Sequence, residues 1–323
     1  MLKDAARVGL LTSLGSGMYQ LHPALPGYLA AGWRAGDPGG YSPEREACEQ
    51  AMCTACAAFG RWLTGQIESG NAALAYAVIR LQRQTLGAIL GHALGHHAWY
   101  DADSIVRALD EYWDTRGLGT EADAWADRIL HATAGHGQTP PLPARSLWLY
   151  TTIRRADRQK DAGRPDQAGH TYRQALAYLQ DQPETEWTRA SISVLYHQLG
   201  MTVEDRGRLD EADDWYRKSL AINEELGNRP HMAITYHQLG ITAQDRGQLD
   251  EADDWYRKAL TIEEELGNQP GMAMSYGQLG LLAEDRQKPR QALEWMVRCV
   301  TLFDQFPHPV TGPGPEHLAR LTR

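Results

Sequence analysis

From about Pro43 onward, apolar residues recur three and four positions apart, the period of one buried helix face, and no stretch alternates long enough to read as a strand. The pattern predicts helices over Pro43 to Ile67, Ala72 to Arg83 and Leu86 to Tyr100, then one ending near Arg116-Gly117 and one from Thr120 to about His131. Ser42-Pro43-Glu44 supplies a cap, a proline at the first helical position and an early acid; Asp101 or Asp103, and then Thr120, are the caps expected next. Before this run, GLLTSLGSGMYQLHP carries two short apolar stretches around Gly15-Ser16-Gly17, a hairpin signal, and Pro23 and Pro26 lead into a further helix start. Ala35 to Tyr41 is a linker by its glycine and proline content, and GQTPPLPA at 137–144 breaks the helical pattern.

Beyond the break the pattern becomes a repeat. Tyr196 to Pro270 holds two 40-residue units, YHQLGMTVEDRGRLDEADDWYRKSLAINEELGNRP and YHQLGITAQDRGQLDEADDWYRKALTIEEELGNQP, and a worn copy runs from Tyr276 to Phe303. A drifted unit begins near Ser146, where Gly163, Ala168, Tyr172, Ala175 and Leu176 are echoed by Gly207, Ala212, Tyr216, Ser219 and Leu220. A fixed period of this size means stacked helix pairs, because one pair cannot bury its apolar face alone. Gly200 and Ala212 are small where two helices cross closely, and Gly207 gives the backbone freedom that ends the first helix. Leu209 and Asp210 are expected as staple and N-cap of the second helix, which Gly227-Asn228 closes before Pro230 opens the next unit. In the third unit Gln287, Pro289 and Met296 replace Gly247, Leu249 and Tyr256, decay that suits a terminal repeat.

In order and spacing, Leu199, Gly200, Gly207, Ala212, Tyr216 and Leu220, with their counterparts Leu239, Gly240, Gly247, Ala252, Tyr256 and Leu260, resemble the tetratricopeptide repeat (TPR) signature. The resemblance implies an all-α fold, a TPR-type solenoid of antiparallel helix pairs. The phrase GLL…YQLHPAL, with ALDEYWDTRGLGTEADAWADRIL further on, is similar to the end of the winged helix and the following helical arm in STAND (NB-ARC-type) signal-transduction ATPases. That second resemblance implies a small winged-helix remnant over 1–34, a helical arm over 42–136, and a TPR array over 145–303 in units of about 145–185, 191–230, 231–270 and 271–303, with 304–323 as a tail. It also implies a sensor or scaffold within a regulatory system; a stand-alone peptide-sensing regulator or adaptor is the alternative.

Composition narrows the chemistry. No run approaches the roughly 18 to 20 apolar residues that span a bilayer, and the first residues lack a cleavable leader's extended apolar core, so no membrane partner and a cytoplasmic setting are expected. Cys48, Cys53, Cys56 and Cys299 form no disulfide framework. Net charge is −9, and Ser191 to Val300 alone holds 12 Lys and Arg against 19 Asp and Glu. An acidic array repels phosphate backbones, which argues against nucleic acid and for basic partners.

Catalytic and cofactor motifs are weak or missing. The three clustered cysteines have the C-x4-C-x2-C spacing of a plant-type iron-sulfur site, but with no glycine between them they fall along a helix and cannot converge, so they read as small buried hydrophobes. His92 and His96 have the spacing of two helical zinc ligands with His97 alongside; Ala93 stands where a metalloprotease needs glutamate, and a metal-dependent enzyme is the least favoured reading. The sequence contains no GxxxxGK[ST] phosphate loop and no G-x-S-x-G elbow, so no cofactor and no catalysis are expected, and any nucleotide-binding module would act in trans.

What remains is a groove. In TPR families the first helix of each pair lines the concave side, and carrying its ligand-facing positions over gives Val194, His197, Met201, Glu204 and Asp205; then Ile234, His237, Ile241, Gln244 and Asp245; then Met274, Gly277, Leu281, Glu284 and Asp285. The stripe is apolar in its middle and acidic at one side, which suits a protein or peptide that is apolar with basic character. The plainer alternative has Glu204, Asp205 and Asp245 solvating the surface or pairing with Arg206 and Arg246. His197 and His237 further suggest binding that changes between about pH 5.5 and about pH 7.5. WYRK at 215–218 and 255–258 reads as a packing aromatic pair with a solvated basic end.

Overall fold

A computed structural model describes residues 11–15, 18–21, 25–134 and 139–305. The expected hairpin is present as β1 (Leu11–Gly15) and β2 (Met18–Leu21), antiparallel with Leu11 opposite Leu21 and an irregularity between Ser13 and Gly15; Ser16 and Gly17 lie outside the described residues, as does the tail from Phe306. Among the described residues every other regular element is helical: α1 (Leu25–Gly36), α2 (Tyr41–Glu68), α3 (Ala72–Gly95), α4 (Trp99–Thr115), α5 (Gly119–Ala134), a 3₁₀ turn (Leu142–Ala144), and then α6 (Arg145–Asp161), α7 (Pro165–Gln180), α8 (Glu186–Glu204), α9 (Leu209–Leu226), α10 (Arg229–Asp245), α11 (Leu249–Leu266), α12 (Gln269–Asp285) and α13 (Pro289–Gln305). The two helices expected over Ala72 to Tyr100 are one, α3, which runs through Gln84 and Thr85 and stops at Gly95. Its period never breaks there, since Ile79, Leu86, Leu90 and Ala93 form one buried line.

The chain divides into two compact units, Met1–Trp125 with Pro141–Leu147, and Ala126–Pro140 with Trp148–Arg323. In the first, α2 packs on α3 and α4. Gly60 makes the closest approach, where an added Cβ would lie 2.4 Å from the Ser104 carbonyl oxygen. Around that crossing Leu63, Ile79, Leu86, Leu90, Ile105, Leu109 and Trp113 are fully buried. Cys53 and Cys56 join this core as expected, but Cys48 is exposed. Burial pushes the Cys53 thiol up to about 11 and raises Cys56 as well, so neither is poised as a nucleophile.

The second unit holds the repeats. Each helix from α8 to α13 packs on its neighbours in sequence. Tyr216 and Tyr256 are wholly buried, and their rings lie directly on Gly200 and Gly240: a Cβ at either glycine would sit 2.5 Å from a ring carbon. That contact, more than a bare helix crossing, is why the glycine is needed. The turns repeat with the period. Gly163, Gly207 and Gly247 have φ of +70°, +70° and +75°, and Gln287 takes the same left-handed backbone at +58°, a residue that must bear the strain glycine avoids. Gly227 and Gly267 end their helices at φ +64° and +65°, and the Asn228 and Asn268 side chains accept the first free N–H of α10 and α12.

Four expected caps are not used. Helix α2 begins at Tyr41 behind Gly40, so Ser42 lies inside its first turn and makes no capping bond. Helix α9 begins at Leu209 behind Arg208, with Asp210 already in its first turn; α4 begins at Trp99, so Asp101 is in the first turn while Asp103 binds Arg107 at 2.9 Å; α5 begins at Gly119, ahead of Thr120. In each case the preceding glycine- or histidine-ended turn starts the next helix sooner, and the acids act on the helix dipole from inside it.

Candidate protein-binding face

The fifteen residues of the expected stripe divide into two sets. Helix positions seven and eleven residues apart share a face, which places Val194 and Met201 together on α8 with Asp205 at its C-cap, Ile234, Ile241 and Asp245 on α10, and Met274, Leu281 and Asp285 on α12. This set is accessible: Ile234 is 50% and Met274 54% exposed, the three aspartates are exposed, and Val194, Met201, Ile241 and Leu281 are half-buried. These two exposed apolar side chains sit one repeat apart on the same helix face.

The other set turns inward between the two helices of a pair. His197 and His237 pack against the rings of Tyr216 and Tyr256, with centroids 5.3 and 5.6 Å away, and the Nδ1 of each imidazole is buried without a hydrogen-bond partner. Burial pushes both imidazoles down to about 4. The histidines are therefore structural, and the expected binding change between about pH 5.5 and about pH 7.5 has no titrating imidazole at these positions.

Glu204 is similarly committed. Tyr216 donates its hydroxyl to Glu204 at 2.8 Å, and Thr242 of the next repeat donates to the other oxygen at 2.5 Å. Burial raises the carboxyl pKa, and the two hydroxyls work against that rise. Gln244 holds the same place one repeat on, accepting from Tyr256 at 2.9 Å and donating to Asp285 at 2.6 Å. Glu284 is half-buried at the third, and Gly277 stands where the earlier repeats have histidine. Glu204 and Gln244 tie one repeat to the next, and no member of this set is exposed.

Arg206 and Arg246, which the sequence offered only as partners of the adjacent acids, and Arg286, which it did not single out, complete the ties. Arg206 and Arg246 do not pair with the acids beside them, the one branch of the plainer alternative, whereas Asp205 and Asp245 are exposed, as its other branch had them; Arg286 follows the same rule as the two arginines. Arg246 donates to the Leu209 carbonyl at 2.9 Å and pairs with Asp210 at 2.7 Å, and Arg286 treats Leu249 and Asp250 the same way at 2.8 and 2.6 Å. Their recurrence at 40-residue intervals was the available signal. Tyr196, Tyr236 and Tyr276 of the first helices stack on Trp215, Trp255 and Trp295 of the second helices, where Lys218 and Lys258 cover the first two indoles at 4.1 and 4.0 Å. WYRK is a packing motif, as its sequence suggested.

In the first unit, His92 stacks on His96 with centroids 4.0 Å apart, and its Nδ1 lies 3.7 Å from Glu49. His96 caps α3, its ring Nδ1 3.0 Å from the His92 carbonyl oxygen, and His97 turns away toward Trp99 at 4.9 Å. Among the described residues no group of three or more His, Cys, Asp or Glu side chains is placed to hold a metal ion.

The tetratricopeptide repeat family model matches residues 191–265 and again 231–305. Residues 191–305 are tetratricopeptide repeats. No curated protein matches the chain in sequence. Among solved structures, BtubC (BKLC) from P. vanneervenii is 20% identical with a TM-score of 0.53, over 62% of this chain and 79% of that one, which is likeness of fold. A Podosopora anserina structure of nearly identical TPR-like repeats gives 0.46 at 20% identity over 54% and 84%, and MamA gives 0.41 at 18% over 59% and 94%. No helix among the described residues is long and apolar enough to cross a membrane. The tetratricopeptide repeats thus cover the face that carries Ile234 and Met274, and the drifted pair α6–α7 precedes them.

Proposed function

We propose that this chain is a non-catalytic scaffold whose tetratricopeptide repeats hold a protein partner on the shared face of α8, α10 and α12. The observation that carries the reading is the row of apolar side chains at one repeat's spacing, with Ile234 and Met274 half exposed while the histidines and Glu204 beside them are consumed in packing. A partner segment lying across successive first helices would cover these side chains in turn and gain the apolar burial that the repeats leave open. The sensor role, in a cytoplasmic regulatory system with an ATP-driven module in trans, rests on the resemblance of residues 9–25 and 108–130 to STAND ATPases.

Replacing both apolar residues tests the face without touching the core. The Ile234→Glu/Met274→Glu variant is expected to melt within a few degrees of wild type and to lose about tenfold or more in affinity for partners co-purified with the wild-type chain, since two charges would be buried against apolar contacts. The comparison is quantitative co-purification from the native cell beside Asp214→Lys/Asp254→Lys, which alters exposed positions on α9 and α11. Equal retention of the same proteins by both variants would remove this face as the binding surface.

A further inference from the structure

The apolar row is edged by carboxylates that the fold leaves uncompensated. Asp205 at the C-cap of α8, and Asp245 and Asp285 on α10 and α12, close the same helix face, and all three are exposed. The arginine following each is drawn off to the preceding repeat: Arg206 to Asp166 at 2.5 Å, Arg246 to Asp210 and Asp213 at 2.7 and 3.5 Å, and Arg286 to Asp250 and Asp253 at 2.6 and 3.7 Å. Among the described residues no lysine or arginine pairs with Asp205, Asp245 or Asp285; Asp285 accepts only the Gln244 amide, at 2.6 Å. On the second helices Asp213, Glu251 and Asp253 are compensated, with Arg217 bridging Asp213 and Glu251 at 2.6 and 3.0 Å and Arg257 held by Asp253, while Asp214, Asp254 and Glu294 are exposed on a different face, which makes them the charge-matched control.

The consequence follows from desolvation. A partner that covers the whole apolar row, from Ile234 and Met274 through Ile241 and Leu281, ends one helical turn from Asp245 and Asp285; an ion left unpaired at the edge of such a dry contact is costly, whereas a supplied cation offsets that loss. An acidic or uncharged partner would have to leave the aspartates in water and forgo part of the face. We propose that the occupant is a segment of a separate protein that is amphipathic and basic, with apolar side chains set on Ile234 and Met274 and lysine or arginine along one edge meeting Asp205, Asp245 and Asp285. This rests on the reading that the face binds protein, and adds the chemistry of the partner.

The probes are two labelled synthetic helical peptides, one of leucine and lysine and one of leucine and glutamate, titrated against the full chain by fluorescence anisotropy at low and high salt. The leucine–lysine peptide is expected to bind and the leucine–glutamate peptide not to. The Asp205→Asn/Asp245→Asn/Asp285→Asn variant should weaken binding by about tenfold or more and flatten its salt dependence, while Asp214→Asn/Asp254→Asn/Glu294→Gln, which removes the same charge from exposed positions on α9, α11 and α13, should change it by less than about twofold. Equal weakening by the two triple variants would mean attraction to net charge alone and overturn the proposal, as would tighter binding of the leucine–glutamate peptide. Binding that required prior removal of residues 306–323 would make this chain its own occupant and overturn the separate partner. If the aspartate variant kept its native partners while Ile234→Glu/Met274→Glu lost them, protein binding would stand and the basic partner would fall.

Discussion

Between about pH 7 and about pH 4.5 the wild-type chain is expected to lose about 5 kcal/mol more folding stability than a His197→Leu/His237→Leu variant. The two imidazoles are held at about 4 in the fold against an ordinary value of 6.5, the cause being burial first and, for His197, the nearby charges of His231 and Lys160 second. A base with a depressed folded pKa contributes stability that is fully present above the unfolded value. As pH falls below about 6.5 the unfolded chain takes up protons that the fold refuses, so stability drops until about pH 4, where the folded imidazoles also charge. Buried carboxylates act in the opposite direction: burial raises Glu204 and Glu263, and their protonation on acidification favours the fold. For that reason the difference between wild type and variant, read from urea unfolding at several pH values, is the informative quantity. Parallel stability profiles for the two proteins would show that neither histidine is buried as described.

A second large effect is expected at Gly240. Gly240→Val should destabilise by about 3 kcal/mol or more, because its Cβ would meet the Tyr256 ring at 2.5 Å and the ring has nowhere to retreat. Tyr256 is wholly buried and its hydroxyl is fixed on Gln244, so moving the ring also breaks the bridge to Asp285. Gly247→Ala provides the scale. There a Cβ meets open space and only the left-handed backbone is strained, so a loss of about 1 kcal/mol is expected. Chemical denaturation of both variants checks the order, and a Gly240 variant no worse than the Gly247 variant would contradict the packing of the pair.

Much of the array was legible because its local rules are strict. Gly207, Gly227, Asn228 and Pro230 each have a conformational or capping reason that the sequence states by itself, and the small residues at 200 and 212 announce close packing. The candidate face was legible only in part. Positions 194 and 201 lie on one face by helical geometry, but whether His197, three residues on from Val194, meets solvent or a tyrosine depends on how the second helix is rotated against the first. The fate of Arg206, Arg246 and Arg286 was hidden for a similar reason. Their partners are about 40 residues away, and from sequence the adjacent aspartate looks nearer than the one across the repeat. The missed continuity of α3 is simpler: Gln84 and Thr85 look like a polar break until the buried line from Ile79 to Ala93 is seen to pass through them.

The most direct test is site-specific photocrosslinking in the native cell, with the reactive side chain placed in turn at Ile234, Met274 and Asp254. The account predicts adducts to the same partner polypeptide from Ile234 and Met274 and none from Asp254. Adducts from Asp254 alone, or no adduct from either first-helix position, would contradict it.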